Sequence, residues 1–161
     1  MALAVVMTLT AGPAAAQNLI TQDGWEGFAM RDANNKFDRC VLYNRTVPAI
    51  TISPYGMLGV TRDAAGHIGL LVFYDPRALT RGKTTVRIKL DQRPVAAFLG
   101  DALSDFHVDV PALDPDTVAA LRNAKTLEAM VEGHTIRFDM SHIGAVLARL
   151  DACVKIYGPK S

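Results

Sequence analysis

Val86-Arg87-Ile88-Lys89-Leu90 is the stretch on which the fold turns. Apolar and cationic residues alternate with period two, so one face of this strand points to a core and the other to water. Residues 95–99 (Val-Ala-Ala-Phe-Leu) follow with no polar face, the pattern of a strand covered on both sides. Phe106-His107-Val108-Asp109-Val110 then alternates again. Three short strands separated by turn residues predict an antiparallel meander with the apolar strand in the middle.

Toward the N-terminus, residues 25–30 and 37–43 read as strands separated by the polar turn Arg31-Asp32-Ala33-Asn34-Asn35-Lys36, and residues 49–52 as a weaker third strand. Pro54-Tyr55-Gly56 turns the chain into a hairpin whose arms are residues 57–60 and 68–74. Toward the C-terminus, Asp114-Pro115 opens a helix, with Asp as N-cap and Pro at the first helical position, ending near Lys125. Leu127, Ala129 and Val131, then Ile136, Phe138 and Met140, alternate on either side of Glu132-Gly133 and predict a tight hairpin. Ser141 is placed to cap a last helix over residues 142–155, whose Ile143, Val146, Leu147, Leu150, Cys153 and Val154 form one helical stripe. The class is α+β, a mainly antiparallel β-sheet or sandwich with two short helices in the C-terminal third.

Residues 1–16 carry no charge and read as a secretory signal peptide. An apolar run, Met1 to Leu9, precedes Ala14-Ala15-Ala16, a small-residue cleavage pattern before Gln17. The run is too short for a membrane span, which needs about 20 residues, and no later run approaches that length. The expected organisation is therefore a leader at 1–16 and a single domain at 17–161, in the periplasm or secreted.

With 17 Lys+Arg against 16 Asp+Glu and 50% hydrophobic residues, the composition is that of a folded domain. It excludes a disordered tail or a nucleic-acid-coating protein. In an exported chain the two cysteines, Cys40 and Cys153, are expected to pair, closing a long loop and tying the last helix to an early strand. Two unpaired thiols are the alternative. No C-x-x-C is present to suggest redox chemistry.

Sites of chemistry are sparse. His67, His107, His134 and His142 form neither H-x-x-x-H nor H-E-x-x-H, so no metal or other cofactor is expected. No nucleophilic-serine or phosphate-loop motif is present. His107 and Asp109 share one strand face and mark the place where a hydrolase or metal-dependent site would be sought. Asn44-Arg45-Thr46 matches the glycosylation triplet. Charge is unevenly placed: residues 77–93 hold Arg77, Arg81, Lys83, Arg87, Lys89 and Arg93 against Asp91. Residues 101–116 hold five Asp and no cation. Arg87 and Lys89 are the candidate binding residues for an anionic partner; partial compensation between the two segments is the competing account. Trp25 reads as a core anchor.

Trp25 followed by a strand holding Cys40, the strand and turn Val86-Arg87-Ile88-Lys89-Leu90-Asp91-Gln92-Arg93-Pro94, the helix and strand over residues 118–131, and the strand and terminal Ala/Leu-rich helix over residues 136–150 occur in an order that resembles the invasion-associated locus B family of small periplasmic alphaproteobacterial proteins. That resemblance implies an exported, non-enzymatic protein linked to the cell envelope or host contact, with no catalytic residues to transfer. The function expected is a binding module for an unidentified protein or envelope component. A hydrolase or metal-dependent enzyme near His107 and Asp109, and an inhibitor of an envelope protease or lysozyme, are the alternatives.

Overall fold

The computed structural model describes residues 19–44, 55–75 and 79–160. The expected leader at 1–16, the weak strand at 49–52, Pro54 and Arg77 lie outside them. Ten strands and two helices follow in chain order: β1 (Ile20–Gln22), β2 (Trp25–Arg31), β3 (Phe37–Asn44), β4 (Tyr55–Asp63), β5 (Ile68–Asp75), β6 (Gly82–Leu90), β7 (Ala96–Ser104), β8 (His107–Val110), α1 (Pro115–Leu121), β9 (Thr126–Val131), β10 (His134–Asp139) and α2 (Ile143–Tyr157). All pair antiparallel in one sheet of order β1-β2-β3-β4-β5-β8-β7-β6-β9-β10. The α+β, mainly antiparallel reading holds, and so does the β6-β7-β8 meander.

The sheet curls over its own inner face. Ile136 of β10 approaches β4 so closely that a Cβ on Gly56 would lie 2.5 Å from its Cδ1. One core fills the space between, drawn from every strand and both helices, with Trp25 2% exposed as its N-terminal anchor. Val86, Ile88 and Leu90 are at most 4% exposed while Arg87 faces water, as the alternation requires. α2 packs on the inner side of β1 to β4. Its buried residues are Ile143, Val146, Leu147, Leu150 and Cys153. Cys153 bridges to Cys40 of β3 with Cα atoms 6.2 Å apart. Beside the bridge, Arg62 of β4 pairs with Asp151 of α2.

Several local expectations are corrected. Tyr55 and Gly56 begin β4 and do not form a turn, and β4 continues through Thr61-Arg62-Asp63 before reversing. Asp63 stabilises that reversal by accepting from the His67 N–H and pairing with His67 Nδ1 at 2.8 Å. β1 goes beyond the sequence reading; Asp23 and Gly24, at φ 45° and 82°, form the two-residue reversal that pairs it with β2. α1 is capped by Asp114 as expected but stops at Leu121, because the N–H groups of Asn123 and Ala124 bond three residues back and tighten the last turn. Ser141 does not cap α2. Its hydroxyl turns back to Asp139, and His142 occupies the cap position without a side-chain bond. The largest correction is β7: Leu99 and Leu103 are 65% and 55% exposed, so this apolar strand is covered on its inner face only.

Candidate functional site

The outer face of the sheet carries the two places singled out in the sequence, and they differ in character. His107 and Asp109 do share the outer face of β8, and Asp109 is engaged by an arginine. Arg39 of β3 extends across β4 and β5, and its Nη1 lies 3.1 Å from both oxygens of Asp109 while its Nε contacts Asp38 at 3.0 Å. The path is cleared by small residues. A Cβ on Gly69 would stand 2.7 Å from Thr61 Oγ1 and 2.5 Å from the Val110 carbonyl oxygen. Side-chain exposures of 20% for Arg39 and 15% for Asp109 make this a half-buried pair. Burial raises the Asp109 carboxyl above the usual carboxylate range, with Arg39 pulling it back only in part.

The imidazole of His107 stacks on Phe73, centroids 4.3 Å apart and planes 10° from parallel. Its Nε2 is buried and has no hydrogen-bond partner among the described residues. Burial lowers its pKa below the ordinary histidine value, opposed by Asp109 and reinforced by Arg39. Phe28, Tyr43 and Phe73 continue the layer with centroid spacings of 6.3 and 5.8 Å. This cluster is an aromatic and ionic facing for β2, β3, β5 and β8. Sequence reasoning placed His107 and Asp109 on a wet face and missed Arg39 as their partner. No group of three His, Cys, Asp or Glu among the described residues could hold a metal ion.

Arg87 and Lys89 sit on the outer face of β6, one above the other. Lys89 lies 4.0 Å from Glu128 of β9, a loose pair. Lys83 is closer to its partner, 2.6 Å from Asp101, so the acidic segment compensates the basic one at this position. Two of the other four acids of that segment are drawn elsewhere, Asp109 to Arg39 and Asp114 to the cap of α1. Arg87 makes no ion pair among the described residues. It lines an open cleft of about 430 Å³ together with Thr84 and Thr85 of β6 and Met130, Glu132, Gly133 and Thr135 of the β9–β10 hairpin. The cleft exists because β9 pairs with β6 only over Arg87–Leu90 and then turns away at Glu132-Gly133, both with positive φ. One wall is strand, the other a hairpin tip. The lining offers three hydroxyls and one guanidinium that makes no ion pair among the described residues. Asp91, at φ 50°, is structural, since its carboxylate accepts from the N–H groups of Lys125 and Thr126 and so joins the β6 end to β9. Asn44 of the glycosylation triplet is 4% exposed and its Nδ2 donates to the Asp139 carbonyl, so its amide is committed to the interior.

No helix among the described residues is long and apolar enough to cross a membrane. No family model and no curated protein matches the sequence. Among solved structures the chain is similar to the crystal structure of invasion associated protein B from Bartonella henselae, with a TM-score of 0.62 and 18% identity over 86% of this chain and 97% of that one. The resemblance read from Trp25, Cys40 and the order of strands and helices thus holds at the level of structure, and what this chain has in common with invasion associated protein B is its fold.

Proposed function

We propose that this protein is an exported, non-enzymatic binding module of the cell envelope that engages its partner through the outer face around Arg87. One observation carries the reading: the open cleft places a guanidinium with no ion pair among the described residues beside three hydroxyls, with the exposed Leu99 of β7 paired across from Thr85. A cation on such a rim steers encounter and fixes register, and exposed leucines add area to a contact. Export is supported by the uncharged leader-like run at 1–16 and by a disulfide, which persists in oxidising compartments.

Two measurements test it. The intact mass of protein recovered from the source cell should correspond to a chain beginning at Gln17; a chain still beginning at Met1 would remove the export reading. Pull-down from a native envelope extract should recover one partner at a level that falls several-fold when Arg87 and Lys89 are both replaced by Gln. Equal recovery by wild type and variant would remove this face from the function. A captured partner that proves to be a protease or lysozyme, with its activity suppressed, would identify the module as an inhibitor.

A further inference from the structure

We propose that the length of β6 with no strand partner on its β9 side among the described residues receives an extended acidic peptide segment of a protein partner by strand addition, an inference that rests on the binding reading above and names its partner class. β6 runs nine residues, yet its pairing with β9 covers only Arg87–Leu90. On that side residues 82–85 have no strand partner among the described residues, and Thr84 and Thr85 line the cleft. A strand edge left unpaired presents a row of N–H and C=O groups that templates another chain, and edge addition is a recurrent mode of peptide recognition. Four residues at about 3.4 Å each give roughly 14 Å, room for about four residues of guest strand.

The walls leave space for it. A Cβ built on Gly82 or on Gly133 meets nothing within 4 Å. The far end is closed where Glu132 Oε2 accepts from the Thr80 N–H at 3.0 Å, which limits the length of the guest. Charge then selects the guest. Lys83, Thr85 and Arg87 project from the same face of β6, and Arg87 makes no ion pair among the described residues. An antiparallel guest with carboxylates at alternate positions sets them beside Arg87 and near Lys83. Backbone bonds supply the affinity and the alternate acids the register.

The probe is the pentapeptide acetyl-Val-Glu-Ala-Glu-Val-amide, titrated against the full mature chain and followed by amide chemical shifts. At about 1 mM peptide, shifts are expected at residues 82–87 and 130–135 and not on the β2–β3 side of the sheet. N-methylation of one or other alternate set of peptide amides should weaken binding by about tenfold or more for the set that faces β6, which loses at least two backbone bonds at roughly 1 kcal/mol each, and leave the other set unchanged. Replacing both Glu by Lys in the peptide, or Arg87 by Gln in the protein, should each weaken it several-fold. Thr135→Trp, an exposed substitution that fills the cleft, should abolish it in a protein of unchanged circular dichroism. Absence of shifts at residues 82–85, or equal binding by both N-methylated peptides, overturns strand addition. If envelope capture still depends on Arg87 in that case, only this inference falls. Loss of both removes the binding reading as well.

Discussion

Cutting the Cys40–Cys153 bridge tests how the two ends of the domain are held together. The bridge closes a loop with a sequence separation of 113 residues. The chain-entropy relation gives a denatured-state constraint of about 5 kcal/mol for a loop of that length, reduced in practice by residual denatured structure to roughly 2–5 kcal/mol. Reduction is the cleanest perturbation, because both sulfurs stay where they pack: Cys40 is 0% and Cys153 2% exposed. Urea unfolding with and without reductant should therefore differ by about 3–4 kcal/mol, and the thermal midpoint by about 10 °C at this chain length. The slope with urea should rise on reduction, since an uncrosslinked denatured chain exposes more surface. Asp151→Asn serves as the control on the same helix. Its ion pair with Arg62 is partly exposed, at 38% and 24%, so its loss should cost at most about 1 kcal/mol in the oxidised protein. Oxidised and reduced protein agreeing within about 1 kcal/mol, or two titratable thiols in unreduced denatured protein, would show that the bridge does not hold the two ends together.

Arg39→Met should destabilise by about 1–3 kcal/mol because it strands a half-buried Asp109, while Arg39→Met with Asp109→Leu should recover most of the loss; a double-mutant cycle in urea decides it. His107 has a folded pKa below its ordinary value of 6.5, so the unfolded chain binds the proton first. Stability should fall as pH drops below about 6.5, with a slope no steeper than about 1.4 kcal/mol per unit from this group, and His107→Gln should flatten that limb. Asp109 has the opposite sign: its folded pKa is raised, so its contribution is present at low pH and lost as pH rises through the folded value. Gly27→Ala should cost more than about 3 kcal/mol or prevent folding, since its Cβ would lie 1.8 Å from the Val41 carbonyl oxygen; expression and circular dichroism report it. Leu99→Thr, at a site 65% exposed on a strand, should change stability by less than about 0.5 kcal/mol in thermal unfolding.

What was legible in the sequence was legible because it was local. Alternation in β6 and β9 and the stripe of α2 each contrast a buried face with a wet one inside a few turns of chain, and the structure keeps that contrast. β7 misled because apolar identity is not burial: Leu99 and Leu103 project outward beside polar β6 neighbours, and nothing in 95–99 marks which alternate positions would be covered. Pro54-Tyr55-Gly56 misled for a different reason. Its composition is that of a turn, yet Gly56 lies in a strand where Ile136 and the Phe73 carbonyl approach too closely for a side chain. The Arg39–Asp109 pair joins residues 70 positions apart and depends on β8 entering the sheet beside β5, an ordering that no local pattern encodes. The cleft is of the same kind. Arg87 could be read as exposed from five residues, but its opposite wall, Met130 to Thr135, lies more than 40 residues later. It becomes a cleft only because a nine-residue strand meets a six-residue one that pairs along four positions. A mismatch of strand lengths, not a motif, makes the surface on which the proposed function rests. Lengthening β9 by two residues ahead of Glu132, so that it pairs further along β6, should therefore remove partner binding while adding sheet hydrogen bonds; a protein stabilised yet still binding would show that the function lies elsewhere on the sheet.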